Sequence, residues 1–261
     1  MNENNKKYNY KFLVSGDSIS KGVIFDQDRS KYVILKDNYI AQLQSKLNGV
    51  IHNTARFGNT IIKGIGKLKK DILKYNPDVV LIEYGGNDCD FNWKEVSNNP
   101  NKNHKPKTDL NSFENKLKET LSFLKSNKIV PVVMTLPPLH ADRYLKWISK
   151  NDPLIETKIL RWLGNVTNIY IWQEKYSNTV LKIAEETNTK WIDIRKVFLQ
   201  HPDFTKLLCL DGIHPNEIGH KIIANKIIDF IRSNYAFLLR EETNYNEPRK
   251  QDRQEEQNKL E

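Results

Sequence analysis

Two kinds of apolar pattern alternate along the chain. The first is a short unbroken run, as in Lys11-Phe12-Leu13-Val14, Val79-Val80-Leu81-Ile82 and residues 129–136. Such runs suit parallel strands buried on both faces. Residues 50–53 and 190–194 predict two further strands. The second kind is a stripe at helical spacing. Ile40, Leu43 and Leu47 form one, with Gly49 as a stop signal. Ile61, Ile65, Leu68 and Ile72 form the next, and Pro77-Asp78 separates it from the strand that follows. Leu110, Phe113, Leu117, Leu121 and Leu124 make a third, and Ile169, Trp172, Tyr176, Val180 and Ile183 a fourth. A last helix is expected from Pro215 to about Phe237, with Pro215 at its first position and Ile218, Ile222 and Ile231 on one side.

Strand–helix–strand repetition with buried strands implies an α/β fold in three layers, α/β/α, around a mainly parallel five-stranded sheet of flavodoxin-like kind. One domain is expected over 10–239. Residues 1–9 read as a disordered lead, and 240–261, charged and without periodicity, as a disordered tail. Two stretches break the alternation. Residues 89–108 are polar and predict a long loop, and residues 139–167 are irregular and aromatic.

Composition changes little in this picture. Of 261 residues, 38% are hydrophobic and 28% charged, which is ordinary for a globular chain with a sizeable core. No run approaches the roughly 18 apolar residues of a membrane span, and the start, MNENNKKYNY, lacks the apolar stretch of a secretion signal. A cytoplasmic protein without stable membrane insertion is expected. Cys89 and Cys209 are expected as reduced thiols, and no Cys/His cluster suggests a metal. The formal charge of +9 would favour anionic partners, but the lysines are scattered and no nucleic-acid motif accompanies them. A solvated basic surface is the reading adopted, with no nucleic-acid partner. Oligomeric state is not legible.

In open parallel sheets, sites gather at the carboxyl ends of strands. Three such ends here carry unusual residues. Gly16-Asp17-Ser18 follows the first strand and can project a serine hydroxyl from a tight turn, though Ser and Asp also suit a helix N-cap. Gly58 lies in Phe57-Gly58-Asn59-Thr60, a stretch that also reads as a turn with a Thr or Asn cap. Gly85-Gly86-Asn87-Asp88 follows the third strand, where Asn87 can aim an amide N–H at a ligand or simply belong to a loop. A fourth element, Asp211-Gly212-Ile213-His214-Pro215, lies far downstream. Its spacing lets a turn bring the Asp211 carboxylate to the His214 imidazole, or forms an Asx turn beside an incidental histidine. No G-x-S-x-G elbow is present. Gly64-Ile65-Gly66-Lys67 lacks phosphate-loop spacing and reads as helix. His220 reads as surface or packing, and His52, His104, His140 and His201 have no partner legible in sequence.

In this order, the four blocks resemble the SGNH, or GDSL-like, serine hydrolases over residues 10–235. Gly16-Asp17-Ser18 matches the family's Gly-Asp-Ser, with Ile19 where Leu is common. Gly58 matches its glycine block, Gly85-Gly86-Asn87-Asp88 its Gly-X-Asn-Asp, and Asp211 with His214 its Asp-X-X-His. The resemblance implies Ser18 as nucleophile, His214 as base and then acid, and Asp211 as the residue that orients it. It also implies an oxyanion hole made by the backbone N–H groups of Ser18 and Gly58 and the Asn87 side chain. No cofactor or metal is required.

The implied activity is serine-dependent hydrolysis of carboxylic esters through an acyl-enzyme, with acetyl esters of carbohydrates the first expectation for a small-molecule or carbohydrate substrate. Lysophospholipase, thioesterase or acyltransferase action on the same triad is the alternative. A non-catalytic module binding phosphate or sugar on the same fold is the rival of another class. The inserts at 89–108 and 139–167 are expected to border the site, and the aromatic residues of the second, with His140, Tyr144, Trp147 and Trp162, would stack on a sugar, line an acyl pocket or form a satellite core beneath a loop.

Overall fold

The computed structural model describes residues 9–240. The expected lead and tail fall outside the described residues, apart from Asn9 and Arg240. The strands are β1 (Tyr10–Gly16), β2 (Val23–Asp26), β3 (Lys31–Ile34), β4 (Gly49–Asn53), β5 (Val79–Glu83), β6 (Val130–Met134) and β7 (Lys190–Ile192). The α-helices are α1 (Ser18–Lys21), α2 (Tyr39–Lys46), α3 (Ile61–Tyr75), α4 (Trp93–Asn98), α5 (Leu110–Ser126), α6 (Ala141–Ile148), α7 (Pro153–Leu163), α8 (Thr167–Glu186), α9 (Ile194–Leu199) and α10 (Glu217–Tyr235).

Five strands form one sheet in the order β4-β1-β5-β6-β7, and each neighbouring pair is parallel. Counting only these strands, the order is 2-1-3-4-5, whose direction of winding reverses between β1 and β5. The unbroken apolar runs are unbroken because both faces are covered. Phe12, Val14, Val132 and Met134 pack with Leu43 of α2, Phe198 of α9 and Ile223 and Ile227 of α10. The alternate positions Leu13, Val80, Ile82 and Val133 pack with Leu68 of α3, Leu121 of α5 and Val180 of α8. Period-two alternation of the strand side chains thus splits the sheet between two cores, giving the three layers that the repetition predicts. Among the described residues, no helix is long and apolar enough to cross a membrane.

Several boundaries differ from the sequence reading. Gly49 does not stop α2, which ends at Lys46; it opens β4, where a Cβ would lie 2.2 Å from the Tyr10 carbonyl oxygen. The strand at 190–194 ends at Ile192, because Asp193 caps α9 by accepting from the Lys196 N–H. The last helix starts two residues after Pro215, with Asn216 as its cap. Pro215 instead forms an isolated bridge with Leu208. The expected loop at 89–108 contains α4, and the irregular stretch at 139–167 contains α6 and α7. The antiparallel pair β2–β3 lies in a segment for which the apolar pattern predicts no element. A third cluster, with Phe91, Val96, Tyr144, Leu145, Ile159 and Ile169, packs the two inserts against each other beside the sheet's carboxyl edge.

Candidate active site

The carboxyl ends of β1 and β5, at the point of reversal, deliver the first and third blocks side by side. Asp17, not Ser18, caps α1, its Oδ1 accepting from the Ile19 N–H at 2.9 Å. That frees the Ser18 hydroxyl, which lies 2.8 Å from Nε2 of His214 across 196 residues of sequence. The tight start of α1 depends on Gly16, where a Cβ would meet the Ser20 hydroxyl at 2.5 Å and the Glu83 carbonyl oxygen at 3.0 Å.

Asp211 does both things its spacing allowed. Its Oδ1 closes an Asx turn, accepting from the N–H groups of Ile213 at 3.0 Å and His214 at 3.1 Å. Its Oδ2 lies 2.5 Å from Nδ1 of His214. Asp211 and His214 are buried. Burial pushes the Asp211 carboxyl up, but the hydrogen bonds from the His214 ring and from the two backbone N–H groups outweigh it and hold it below the ordinary carboxylate range. With Nδ1–H pointed at a carboxylate, Nε2 is the nitrogen left facing the Ser18 hydroxyl.

Tyr32 is a member of this site that sequence reasoning missed. Its hydroxyl donates to Oδ2 of Asp211 at 3.1 Å. Burial and the adjacent carboxylate push its own ionisation upward, so it stays a donor. Its ring stands edge-on to His214 at 5.2 Å, and Phe57 stacks on the same imidazole at 6.0 Å. Tyr32 sits in β3, and the contact spans 179 residues, so nothing local in the sequence marks it.

Asn87 places Nδ2 3.0 Å from Oδ2 of Asp17. Behind them, the buried Glu83 takes hydrogen bonds from the Ser20 hydroxyl at 2.8 Å and the Asp17 N–H at 3.4 Å. Burial and the nearby Asp17 carboxylate push the Glu83 carboxyl well above its ordinary range, and burial also raises Asp17. Gly58 adopts a positive φ of 72° in the turn before α3, and a Cβ there would meet nothing within 4 Å.

Asp88, next to Asn87, holds this turn. Both of its carboxylate oxygens accept the Ile61 N–H, at 3.0 and 3.1 Å, at the start of α3. Burial raises its pKa from 3.8 to about 6. Between these values the folded protein holds a proton that the unfolded chain has released, so raising the pH through this window costs stability. Asp88→Asn keeps an acceptor for Ile61 without the charge. The wild-type unfolding temperature should therefore drop relative to this variant as the pH rises from 3.8 to about 6. Parallel curves for the two proteins would show that Asp88 does not titrate in that window.

Ser18, Gly58, Asn87 and His214 line one cavity of about 570 Å³. Its far walls include Phe91, Trp93, Trp162 and Trp172 from the two inserts and the start of α8. The inserts therefore do both things the sequence allowed: they build a satellite core and line the cavity. Trp93 donates to Asp90 at 2.6 Å, and the Trp172 indole N–H donates to the Cys89 carbonyl at 3.0 Å, which fixes the aromatic rings. His104 also borders the cavity, against Trp162. His220 is not on the surface: it is buried under Tyr39, ring centroids 5.9 Å apart. Cys89 and Cys209 are free and buried, and burial raises the Cys209 thiol to about 11. Among the described residues, no group of three or more His, Cys, Asp or Glu side chains is placed to hold a metal ion.

The model of the GDSL-like lipase/acylhydrolase family matches residues 14–222. An acetylxylan esterase of Geobacillus stearothermophilus is 24% identical over 228 residues, which cover 84% of this chain and 92% of that protein. Among solved structures, a lipase/acylhydrolase from Enterococcus faecalis superposes with a TM-score of 0.62 at 18% identity, covering 88% of this chain and 97% of that one. A catalytic mutant of an acetylxylan esterase from Geobacillus stearothermophilus gives 0.60 at 22% identity, covering 87% and 96%. At these identities the structural likenesses speak to fold.

Proposed function

The chain belongs to the GDSL-like lipase/acylhydrolase family and is a carboxylic ester hydrolase; on that premise we propose that Ser18, His214 and Asp211 carry the reaction and that acetyl esters of carbohydrates are the substrates. The observation that carries the proposal is the continuous chain of hydrogen bonds from the Ser18 hydroxyl through the His214 ring to the Asp211 carboxylate, opening on a cavity walled by aromatic rings.

The Ser18 oxygen attacks the ester carbonyl carbon as its proton passes to Nε2 of His214. Asp211 stabilises the imidazolium so formed. The negative charge that develops on the carbonyl oxygen is met by the backbone N–H groups of Ser18 and Gly58 and by the Asn87 amide. That amide nitrogen carries two N–H groups. Asp17 engages one and holds the side chain in place, and the second serves the oxyanion. Collapse breaks the bond to the alcohol, which leaves with the proton from His214. Water then attacks the acyl carbon as its proton passes to the same ring, and collapse breaks the bond to the Ser18 oxygen, which takes that proton back from His214 as the acid is released.

Two observations support a sugar as the alcohol. Indole and phenyl rings held rigid by hydrogen bonds and packing offer flat apolar faces of the kind a pyranose stacks on, and the curated relative is an acetylxylan esterase. The same apolar walls, with Leu136, Leu139, Leu163 and Ile169, would also suit a longer acyl chain, as in a lysophospholipase or thioesterase. A series of p-nitrophenyl esters from acetyl to dodecanoyl, run beside acetylated xylo-oligosaccharides, separates these readings. The expected result is a maximum at acetyl and release of acetate from the oligosaccharides. A maximum at eight carbons or beyond, with no acetate released, would favour the long-chain reading.

A further inference from the structure

On the His214 side, the catalytic cavity is bounded by Tyr32 and Phe57, and the same two residues form one end of a second, larger cavity of about 1040 Å³. Its walls carry Lys21 at the end of α1, Arg56 in the loop after β4, and Lys67, Lys70 and Lys74 on α3. The last three recur at intervals of three and four and so share one face of the helix. Asp71 is the one carboxylate among the lining residues. A few lysines elsewhere are paired, among them Lys107 with Asp90 at 2.8 Å, Lys116 with Glu119 at 2.7 Å and Lys118 with Glu114 at 2.7 Å. None of the five groove cations has such an ion pair among the described residues; Lys74 lies over the ring of Tyr75 at 4.8 Å. A concave surface with five cations and one acid concentrates positive potential and gathers anions.

The chemistry gives the groove its place. The leaving alcohol takes its proton from Nε2 of His214, so the alcohol portion of a substrate lies toward the ring that Tyr32 and Phe57 flank. A polymeric alcohol continuing past those two rings enters the basic groove.

We propose that this groove binds the anionic part of a glycan whose acetyl ester is cleaved at Ser18, the charges being carboxylate or phosphate groups on the sugar chain. The proposal rests on the reading of the protein as a carbohydrate esterase. It assigns Lys67, Lys70 and Lys74 to substrate recognition outside the catalytic machinery. It also revises the view of the basic surface as merely solvated, since these lysines converge on one face beside the active cleft.

The test uses one polymer in three forms: partly acetylated xylan, the same xylan carrying carboxymethyl groups, and the same xylan carrying phosphate groups. At low salt, kcat/KM for acetate release from at least one charged form should exceed that from the neutral form by about 10- to 100-fold. The charged form with the larger gain identifies the anion. The gain should vanish in the triple charge reversal K67E/K70E/K74E and shrink as salt is raised, while p-nitrophenyl acetate, too small to reach the groove, is turned over equally by both proteins. A charge-reversed enzyme that keeps the preference, or a wild type that releases acetate from all three polymers equally well, would overturn the proposal. A second arm is independent of turnover: calorimetric binding of deacetylated carboxymethyl and phosphoryl xylan to wild type and to K67E/K70E/K74E. Binding by wild type alone supports the groove even where no polymer releases acetate, a result that would fall on the acetyl-carbohydrate reading instead. Equal binding by both proteins, or by neither, overturns the groove.

Discussion

Replacing Ser18 with Ala is expected to lower kcat/KM for p-nitrophenyl acetate by about 10⁵- to 10⁶-fold, with the fold intact. The substitution removes one atom, the oxygen 2.8 Å from Nε2 of His214. No other nearby group is placed to take over its proposed role as nucleophile. The adjacent Asp17 carboxylate is engaged by Ile19 and Asn87, and the Cys89 thiol is buried, with its ionisation pushed upward by burial. Asp17 still caps α1, so local structure does not depend on the lost hydroxyl. What remains should be the modest acceleration from oxyanion donors acting on water. Unchanged turnover in a variant with a wild-type unfolding temperature would remove Ser18 from the chemistry.

The second large effect is expected at Asp211. Asp211→Asn should reduce kcat by about 10⁴ with a smaller change in KM. The side-chain oxygen of Asn can continue to accept from the N–H groups of Ile213 and His214, as Oδ1 of Asp211 does. Its NH₂ group then faces both Nδ1 of His214 and the hydroxyl of Tyr32, where Oδ2 accepted. The imidazole must turn a lone pair toward that NH₂ group and carry its proton on Nε2, the nitrogen that receives one from Ser18 in the proposed mechanism. The geometry survives while the tautomer is wrong. A merely structural role would instead appear as a lower unfolding temperature with activity retained at low temperature. A variant of normal stability and normal kcat would show that the carboxylate is not needed.

Much of this arrangement is legible in the amino-acid sequence itself. The three-layer fold follows from Val79-Val80-Leu81-Ile82 and its counterparts, because strands covered on both faces cannot alternate polar and apolar residues. Ser18, Gly58, Asn87, Asp211 and His214 each read alone as a cap, turn or loop, and it is the order of the four blocks, through their resemblance to the GDSL-like hydrolases, that groups them. What the apolar pattern hides is of two kinds. Some elements carry a different local signal, such as Asp152-Pro153 at the start of α7, a capping residue followed by proline at the first helical position. Other features are set only by long-range packing. The β2–β3 pair has half-exposed strands with no sustained apolar alternation, so nothing in the chain places Tyr32 beside Asp211. Glu83 ends an apolar strand as a buried carboxyl, and its partners Ser20 and Asp17 come from another strand's end. The groove of Lys67, Lys70 and Lys74 is scattered charge in sequence and becomes a surface only when α3 packs beside the loop after β4.

The most direct test of Ser18 as the nucleophile is covalent capture. A fluorophosphonate should transfer its phosphonyl group to the serine oxygen with loss of fluoride, the displaced proton passing to His214. Peptide mass analysis after complete inactivation should then find one phosphonyl group per chain, on Ser18, and none in Ser18→Ala. Full inactivation with Ser18 unmodified, or with the label on another residue, would contradict the assignment.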